Sequence, residues 1–303
     1  MPVNAKRLSL SSPGKINLYF ELLGERADGF HEVETVMAPV SICDQLDFRL
    51  REQPDLCLTL SGRKQGLPVN QKNLILATLN RVRQMAVEEG RHSLPGLDVR
   101  LTKRIPVAAG MGGASSNAAT SITAANELWK LGWSFGKQLD LAATLGSDVP
   151  FFLGRQMALC TGRGEYIKPI VADFRLPVLI AQPPVGLSTG EVYARSQVPQ
   201  SPQSSDSFLN ALDSGQARRI GARMFNRLEP FAAEMTDWIE RFRYEFSRTN
   251  PIGQQMTGSG SCYFGIYPNR KVARKAAGCL SNRLRDVTIL LGQTLNCGGV
   301  SGF

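Results

Sequence analysis

Alternating apolar and polar positions near the amino terminus predict a run of β-strands. From Ile16 to Leu22 every second residue is apolar, which places these side chains on one buried face of a strand. Lys15 and Asn17 therefore project from the opposite face, near the start of that strand. Further strands are predicted at residues 33–40, 45–50 and 56–60, so the chain opens with β structure.

Apolar residues at helical spacing follow. Leu74, Leu79, Val82 and Ala86 lie on one face of a helix predicted over residues 73–89. A stretch rich in Pro, Gln and Ser at 195–206 is expected to form a surface excursion. The other predicted elements are strands at 97–101, 157–161, 165–170, 177–182 and 287–291, helices at 115–131, 138–145, 207–212, 216–227, 231–244 and 272–284, and a second glycine run inside 255–267.

Composition is that of an ordinary globular protein. The chain has 303 residues, 43% of them apolar and 20% charged, which is enough for one large or two ordinary domains with a substantial core. Residues 1–10 lack the apolar segment of a secretion signal, and nowhere do eighteen apolar residues run together. We therefore expect a cytoplasmic protein that does not enter a membrane.

Six cysteines lie far apart in the chain, with no C-x-x-C pair and only two histidines. This pattern favours neither a zinc site nor a disulfide framework. Cys262 follows a glycine run and could lie near a ligand, but a small buried thiol is the better expectation. The six are Cys43, Cys57, Cys160, Cys262, Cys279 and Cys297.

The formal net charge of +9 favours anionic partners, either phosphorylated metabolites or nucleic acid. The basic residues are scattered, without a basic tail or interleaved aromatic residues, so a solvated basic surface is the simplest explanation. No nucleic-acid partner is expected on this pattern.

Residues 105–119, Ile-Pro-Val-Ala-Ala-Gly-Met-Gly-Gly-Ala-Ser-Ser-Asn-Ala-Ala, have the composition of a phosphate-binding loop. Gly110, Gly112 and Gly113 allow several backbone N–H groups to converge, and the helix that follows adds its own free N–H groups. Ser115 and Ser116 lie where a helix is capped, and their hydroxyls could reach a phosphate or Mg²⁺. A tight packing turn that binds nothing is the alternative.

Two common phosphate loops are excluded. No Lys follows the glycines as a Walker loop requires, and the preceding residues 102–106 are basic and broken by Pro106, unlike the strand before a Rossmann fingerprint. The remaining pattern, P-x-x-x-G-[ML]-G-[GA]-[AS]-S-S-x-A-A, resembles the ATP loop of the GHMP kinases, the superfamily of galactokinase, homoserine kinase and mevalonate kinase.

Three further stretches, in the same order along the chain, make the resemblance more specific. Residues 13–18 with 26–31, residues 145–152 and residues 257–262 are similar to the signatures of the 4-diphosphocytidyl-2-C-methyl-D-erythritol kinase family, which serves the non-mevalonate isoprenoid precursor pathway. Pro183 with residues 188–193 resembles a segment on the substrate side. The likeness covers nearly the whole chain.

The resemblance implies an α+β two-domain GHMP kinase fold. An amino-terminal α+β domain, residues 1–160, would carry the ATP loop, and a ferredoxin-like α/β domain, residues 161–303, would complete the enzyme. It also implies ATP-dependent phosphorylation of the 2-hydroxyl of 4-diphosphocytidyl-2-C-methyl-D-erythritol, with Mg²⁺, by a monomer or homodimer.

Family comparison assigns the chemistry to Asp148 as general base and Lys15 as its neighbour. A lysine beside the aspartate would hold it ionised and favour alkoxide character at the acceptor. Asp148 as a helix cap and Lys15 as a solvated strand lysine are the alternatives. The ATP site would comprise Pro106, Val107, Ala108, Ala109, Gly110, Met111, Gly112, Gly113, Ala114, Ser115 and Ser116, with Asn73, Leu74 and Lys103 near adenine and Ser115 or Ser116 at the metal.

For the acceptor, the resemblance implies a pyrimidine ring between Phe30 and Tyr193. His31 would hydrogen-bond the edge of the ring, and Asn17 would lie close to the reacting end. The second glycine loop would also contact the substrate, through Gly258, Ser259 and Gly260. Aromatic residues in strands and loops are more often part of a core, and that alternative stays open for each of the three ring side chains.

Departures from the family pattern are few. Glycine is usual where this chain has Ala108, Ala109 and Ala114, and leucine is frequent at Met111. We expect the alanines to be tolerated only where φ stays negative. Phe30 stands where tyrosine is common, which keeps a stacking face and loses a hydroxyl.

Two rival functions remain at this stage. One is another GHMP kinase, acting on homoserine or mevalonate, although such enzymes have no cytidine ring for residues 29–31 to hold. The other is a catalytically silent module of this fold, or one that uses its positive charge on RNA. The presence of both Lys15 and Asp148 argues against loss of catalysis.

Overall fold

The computed structural model of the protein describes residues 6–63 and 66–295. Cys297 and residues 1–5 lie outside the described residues. Of the other cysteines, Cys262 is fully buried, as predicted. None of the described helices is long and apolar enough to cross a membrane.

The described elements include both strands and helices, which confirms the predicted mixed α and β class. The strands are β1 Arg7–Glu25, β2 His31–Arg51, β3 Leu56–Gly62, β4 Gly96–Lys103, β5 Ala158–Thr161, β6 Tyr166–Pro169, β7 Pro177–Gln182, β8 Phe225–Asn226, β9 Gly253–Met256, β10 Tyr263–Ile266 and β11 Thr288–Gln293. The helices are α1 Leu74–Glu88, α2 Gly113–Leu128, α3 Phe135–Leu145, α4 Val149–Gly154, α5 Thr189–Arg195, α6 Asp206–Asp213, α7 Ala217–Ala222, α8 Glu229–Met235, α9 Trp238–Ser247 and α10 Arg270–Arg283.

Two sheets contain these strands. In the larger sheet the order is β3-β4-β2-β1-β8, with β5 beside β2 and β6 beside β5. The β3–β4 pair is parallel, and β2 runs antiparallel to β4 with Leu46 opposite Leu101. The smaller sheet has the order β11-β7-β10-β9 and is antiparallel throughout.

The described chain divides into two compact units, each assembled from several stretches of sequence. Among the described residues, one unit contains 6–14, 43–63, 66–107 and 112–154, and the other contains 15–42, 108–111 and 155–295. The family resemblance predicted a domain boundary between residues 160 and 161. That boundary is a different division from these two units, and it stays a prediction.

The first unit is built around α2. This helix is rich in alanine and packs against α1, α3 and α4, because its small side chains allow close approach of neighbouring helices. Ala118, Ala119, Ile122 and Ala125 are buried. The glycine-rich loop runs directly into the amino end of α2, so the packing of this helix fixes the orientation of its free N–H groups.

The second unit has a large apolar core between the smaller sheet and the helices that pack on it. Leu179, Phe242, Phe246 and Tyr263 are fully buried in this core, together with Leu280 of α10. The rings of Phe246 and Tyr263 lie 5.4 Å apart, a distance typical of stabilising aromatic pairs.

Four predicted elements, two strands and two helices, differ from the structure. The two strands expected at 33–40 and 45–50 are one continuous strand, β2. Its alternation persists through Ile42 and Asp44, which are both buried. The carboxylate of Asp44 occupies a position that the hydrophobic pattern reserves for an apolar side chain, and this is why the sequence suggested a break.

The other two differences concern predicted helices. The helix expected over 216–227 ends at Ala222, and Phe225 and Asn226 pair with β1 instead. The helix expected over 231–244 is divided into α8 and α9 at Thr236, whose backbone is extended. Helical spacing of apolar residues did not reveal either interruption, since both are set by tertiary packing.

Candidate active site

The glycine-rich loop contains three residues with left-handed backbone angles. Gly110 has a φ of 71°, Gly112 has a φ of 66°, and Ala108 has a φ of 50°. A Cβ built on Gly110 would lie 2.1 Å from the carbonyl oxygen of Thr257, so no side chain fits there. The loop conformation therefore requires glycine at 110 for both angle and space.

The expectation that the loop alanines keep negative φ is wrong for Ala108. Left-handed angles bring the Cβ of an L-residue close to the backbone and cost about 1–2 kcal/mol. Ala109 and Ala114 are not among the described residues with positive φ, and Ala114 lies in the first turn of α2. Strain from the replacement of a family glycine is therefore confined to one position.

The two adjacent serines at the start of α2 differ in their surroundings. Ser116 is fully buried, and its Oγ accepts a hydrogen bond of 2.7 Å from Ser12 Oγ. Ser115 is half-buried. Their positions make Ser115 the more accessible hydroxyl at this helix end, while Ser116 ties β1 to α2 inside the first unit.

Lys103, predicted near adenine, is 4% exposed, and its ammonium group lies 2.6 Å from Asp44 Oδ2. Burial lowers the pKa of Lys103, and the charge of Asp44 and its hydrogen bond act in the opposite direction. A Cβ on Gly113 would lie 2.9 Å from Lys103 Nζ. This ion pair therefore packs directly against the first residue of α2.

Asn73 and Leu74, also predicted near adenine, begin α1. The side-chain oxygen of Asn73 accepts from the backbone N–H of Ile75, and its amide nitrogen donates to the carbonyl of Pro68. Asn73 is thus the N-cap of the helix. Both polar ends of its side chain have structural partners, and so has its backbone: the N–H donates to the carbonyl of Asn70 at 2.8 Å, and the carbonyl accepts from the N–H of Ala77 at 3.0 Å.

Lys15 lies in a network of polar side chains within the second unit. Lys15 is 4% exposed, and its ammonium group donates to Asn17 Oδ1 at 2.6 Å. The amide nitrogen of Asn17 donates to Thr35 Oγ1 at 2.8 Å, and the backbone N–H of Asn17 donates to Thr257 Oγ1 at 3.1 Å. Asn17 is therefore fixed on three sides, and it fixes Lys15.

The second glycine loop passes next to the lysine. A Cβ on Gly258 would lie 3.1 Å from Lys15 Nζ and 3.4 Å from Asn17 Oδ1, so glycine leaves room for the ammonium group. The amide of Asn226 donates to the carbonyl oxygens of Met256 and Gly258, each at 2.9 Å. These bonds hold the loop at its position beside Lys15.

Two of the residues predicted to bind the alcohol substrate lie close together. The rings of His31 and Tyr193 are 5.2 Å apart. His31 Nε2 is buried and has no hydrogen-bond partner among the residues that the structure describes. A buried imidazole nitrogen without a partner is costly, and a ligand that hydrogen-bonds this atom would remove that cost.

Phe30 is 51% exposed, and its ring faces the guanidinium of Arg163 at 5.0 Å. An exposed aromatic ring with a cation on one face still offers the other face for stacking. Within the second glycine loop, Ser259 Oγ and Thr189 Oγ1 lie 2.9 Å apart, which ties the loop to the start of α5. The predicted sandwich of a ring between Phe30 and Tyr193 stays a prediction.

Asp148 lies half-buried directly before α4, in the first unit. This position is compatible with a helix cap. It is equally compatible with a general base whose carboxylate is held at the start of a helix. The choice between the two roles stays a prediction.

Sequence reasoning missed the residues that support the loops. Asp44, Asn226 and Thr257 are buried polar side chains with several hydrogen bonds each. Thr257 is the first residue of the second glycine loop, and Asp44 interrupts an alternation of apolar residues. The sequence around Asn226 shows no strand pattern, because the strand that contains it has only two residues.

Comparison with protein families gives two matches. The profile of the GHMP kinases N terminal domain matches residues 73–155, and that of the GHMP kinases C terminal domain matches residues 208–286. The first contains α1, the glycine-rich loop and Asp148, and the second extends from α6 through the second glycine loop to α10.

Curated relatives share most of the chain's length. The 4-diphosphocytidyl-2-C-methyl-D-erythritol kinase of Pelotomaculum thermopropionicum is 35% identical over 284 residues, which cover 93% of this chain and 96% of the relative. The enzyme of the same name from Shouchella clausii is 36% identical over 262 residues, or 86% of each chain.

Solved structures agree in fold. A crystal structure of 4-(cytidine 5'-diphospho)-2C-methyl-D-erythritol kinase superposes with a TM-score of 0.79 at 29% identity and covers 95% of this chain and 99% of that chain. A homoserine kinase from Cytophaga hutchinsonii, with a TM-score of 0.70 at 16% identity, covers 98% of this chain and 96% of its own. The latter likeness concerns the fold alone, and both confirm the expected GHMP kinase architecture.

Proposed function

Because the chain belongs to the 4-diphosphocytidyl-2-C-methyl-D-erythritol kinase family of the GHMP kinases, we propose that it transfers the γ-phosphoryl group of ATP to the 2-hydroxyl of 4-diphosphocytidyl-2-C-methyl-D-erythritol. The reaction belongs to the non-mevalonate route to isoprenoid precursors. The observation that carries the choice of acceptor is the buried, unsatisfied Nε2 of His31 beside the ring of Tyr193.

The nucleotide would bind along the glycine-rich loop. Left-handed angles at Gly110 and Gly112 allow successive N–H groups to point toward one anion, and α2 begins at the next residue. Such an arrangement suits the phosphates of ATP. Asn73 and Leu74 at the start of α1, with the backbone near Lys103, remain the proposed contacts to adenine.

A magnesium ion fits this donor set. The described residues contain no group of three or more His, Cys, Asp or Glu side chains placed to hold a metal ion. That agrees with an ion that takes most of its oxygen ligands from phosphates and water, as Mg²⁺ does in kinases. Ser115 is the proposed protein ligand, since the hydroxyl of Ser116 already bonds Ser12. When bound, Mg²⁺ would neutralise phosphate charge.

Asp148 is proposed to accept the proton of the acceptor hydroxyl as it attacks. Lys15 is proposed to stabilise the negative charge that then develops on the oxygen. Asn17 and Thr257 support this role because they hold the ammonium group in one place, so little reorganisation is needed during transfer. Phosphoryl transfer depends mainly on such positioning and charge stabilisation.

The acceptor's cytosine would stack on the aromatic side chains and hydrogen-bond His31 Nε2. Phe30 and Tyr193 are the proposed stacking residues, and the loop at 258–260 would contact the phosphorylated end. An acceptor without a pyrimidine would leave His31 unsatisfied. We therefore expect strong preference for the cytidine compound over mevalonate or homoserine.

ADP release measured with Mg-ATP and four alcohols in parallel tests the proposal. Turnover with 4-diphosphocytidyl-2-C-methyl-D-erythritol, and none with mevalonate, homoserine or galactose, is the expected result. Turnover with mevalonate or homoserine alone would replace the proposed acceptor. ATP binding without turnover of any alcohol would point to a silent binding module, and RNA would be tested next.

The role of Asp148 is tested by Asp148→Asn. The variant should bind ATP nearly as well as the parent, because the residue is not assigned to the nucleotide, while turnover falls by about a thousandfold or more. Calorimetric titration of ATP and steady-state kinetics separate the two effects. Turnover near the parent level would leave Asp148 with the helix-cap role alone.

We also propose a cellular location and an assembly. ATP and a charged nucleotide-linked acceptor are metabolites of the cytoplasm, and we propose that compartment for the enzyme. A monomer or homodimer is the proposed assembly, which light scattering of the purified protein would decide.

A further inference from the structure

Asp44 lies in the middle of β2 and has no exposed surface. A buried carboxylate is costly unless its oxygens accept hydrogen bonds, and both oxygens of Asp44 do so. Oδ1 accepts from the backbone N–H groups of Arg104 and Ile105, at 2.7 and 2.8 Å. Oδ2 accepts from Lys103 Nζ at 2.6 Å and from Asn117 Nδ2 at 3.1 Å.

The four donors lie at the two ends of the glycine-rich loop. Lys103, Arg104 and Ile105 immediately precede Pro106, where the loop begins. Asn117 lies near the amino end of α2, the helix into which the loop runs. A single side chain from a distant part of the sequence therefore binds the residues on both sides of an eleven-residue segment, 106–116. Asp44 and its four donor residues all belong to the first compact unit.

We propose that Asp44 is a positioning residue for ATP binding, which sets the separation and direction of the two ends of the phosphate loop. This inference rests on the proposed function, because it assumes that residues 106–116 hold the phosphates. Asp44 itself contacts the loop's flanks rather than the nucleotide. Its effect on affinity comes from holding backbone N–H groups in a binding arrangement before ATP arrives.

The charge of Asp44 matters as well as its shape. The Lys103 ammonium is nearly inaccessible to water, and it packs against Gly113. An uncharged side chain at 44 would leave a buried cation without its partner, which is strongly unfavourable. Relaxation of Lys103 away from that position would then disturb the first turn of α2, where the proposed phosphate donors lie.

Asp44→Asn tests the proposal with little change in size. The amide can still accept from the two backbone N–H groups through its oxygen, but its NH₂ group faces Lys103 and Asn117, which are donors. We expect the KM for ATP and the dissociation constant of a non-hydrolysable ATP analogue to rise about tenfold or more. The KM for the alcohol should stay within about twofold of the parent.

Asp47→Asn is the matched control. Asp47 lies three residues further along the same strand, is only half-buried, and accepts a hydrogen bond from Ser9. Its replacement removes the same charge without touching the loop, so both Michaelis constants should stay at parent values. Amide hydrogen exchange at Arg104 and Ile105 should become faster in Asp44→Asn and stay unchanged in the control.

A purely structural role would lower thermal stability and leave the KM for ATP of the folded variant unchanged, and that result would overturn the proposal. If Asp44→Asn does not fold, Asn117→Ala serves in its place. That variant removes only the bond at the far end of the loop and leaves Lys103 paired. It should raise the KM for ATP several-fold, and an unchanged value would overturn the proposal equally.

Failure of the proposed function would give a different result. If the parent protein does not bind the ATP analogue at all, the assignment of the loop is wrong, whatever the variants do. If the parent binds the analogue but phosphorylates another alcohol, the acceptor is wrong and the test of Asp44 still stands on nucleotide affinity. If the parent and Asp44→Asn bind the ATP analogue with equal affinity, only the proposed role of Asp44 is contradicted, and the proposed function is unaffected.

Discussion

Ala108 carries backbone strain that a glycine would not have. Its φ of 50° lies in the region that L-residues avoid, and family members usually have glycine there. Ala108→Gly should therefore raise the free energy of unfolding by about 1 kcal/mol, even after the greater flexibility of glycine in the unfolded chain is included. Urea denaturation of the purified variant measures the change.

Ala109→Gly provides the matched control for that prediction. Ala109 is buried and is not among the described residues with positive φ, so glycine there removes a packed methyl group and relieves no strain. The control should lose stability. A gain of similar size in both variants would mean that general loosening of the loop, rather than relief of a left-handed alanine, accounts for the effect.

Ser115 and Ser116 should differ in their effect on magnesium dependence. If Ser115 is the metal ligand, Ser115→Ala should raise the Mg²⁺ concentration needed for half-maximal turnover several-fold, since a ligand oxygen is lost. Ser116→Ala should leave that concentration near the parent value and lower stability by about 1 kcal/mol, because the Ser12 bond is lost. Magnesium titrations at saturating ATP, with thermal melts alongside, distinguish the two. The opposite pattern would assign the metal to Ser116.

Sequence reasoning found the residues proposed for chemistry and missed those that hold them. Lys15, Asp148 and the glycine loop stand in recognisable signatures. Asp44 is a single acidic residue in a strand, and nothing in its neighbourhood shows that donors from residues 103–105 and 117 converge on it. Partners so far apart in sequence become visible only when the chain is folded.

Between α5 and α6, residues 196–205 form neither helix nor strand, as their composition suggested. The segment is nevertheless anchored at Gln203. Its backbone N–H donates to Glu21 Oε2 at 3.0 Å, and its carbonyl accepts from Tyr19 Oη at 2.6 Å. Glu21 is fully buried and also accepts two bonds of 2.7 Å from Arg227. The predicted surface excursion is thus tied to β1.

Glu21→Gln should loosen this segment and change the acid stability of the protein. Burial by itself would raise the pKa of Glu21, but the hydrogen bonds from Arg227, Gln203 and Leu22 and the arginine charge outweigh it and lower the pKa below its ordinary value of 4.5. Below that pH the unfolded chain binds a proton that the folded protein does not, so stability is lost as the pH falls.

The Glu21→Gln variant should lose about 3 kcal/mol near pH 7, where the pair is fully ionised, and should show a shallower fall of stability below pH 4.5. Denaturation at several pH values measures both. Glu25→Gln is the matched control, because Glu25 lies exposed at the end of the same strand. Parallel pH curves for the parent and Glu21→Gln would contradict the assignment.

The pattern of apolar residues predicted most elements and failed where long-range pairing decides. Strand β7 was predicted at its observed bounds, because a short apolar run between prolines has few other conformations. The break at Thr236 and the short strand β8 depend on neighbours distant in sequence. Sheet order is likewise set by pairing, and the family resemblance implied the fold class without a strand order.

The net charge of +9 affects the enzyme as a whole. Both proposed substrates are polyanions, and a positive protein attracts them over distances of about 10 Å at low salt. We expect kcat/KM for ATP and for the cytidine compound to fall several-fold between about 0.05 and 0.5 M potassium chloride, with kcat nearly unchanged. Steady-state kinetics across this range provide the measurement.

Sucrose, which is uncharged and raises the viscosity, serves as a control, because it changes the solution without changing the ionic strength. Sucrose should leave the salt response of kcat/KM in place. A fall of kcat that matches the fall of kcat/KM would mean that salt acts on the chemical step or on the folded state, and would contradict attraction by net charge as the cause.

The interleaving of the two compact units has a consequence for synthesis on the ribosome. The described segments of the first unit lie within residues 6–154, so this unit can assemble while the rest is still being translated. Residues 15–42, inside β1 and β2, emerge early but belong with partners after residue 155. A growing chain therefore carries apolar strand segments that wait for their neighbours, and we expect nascent-chain chaperones to bind it during that interval.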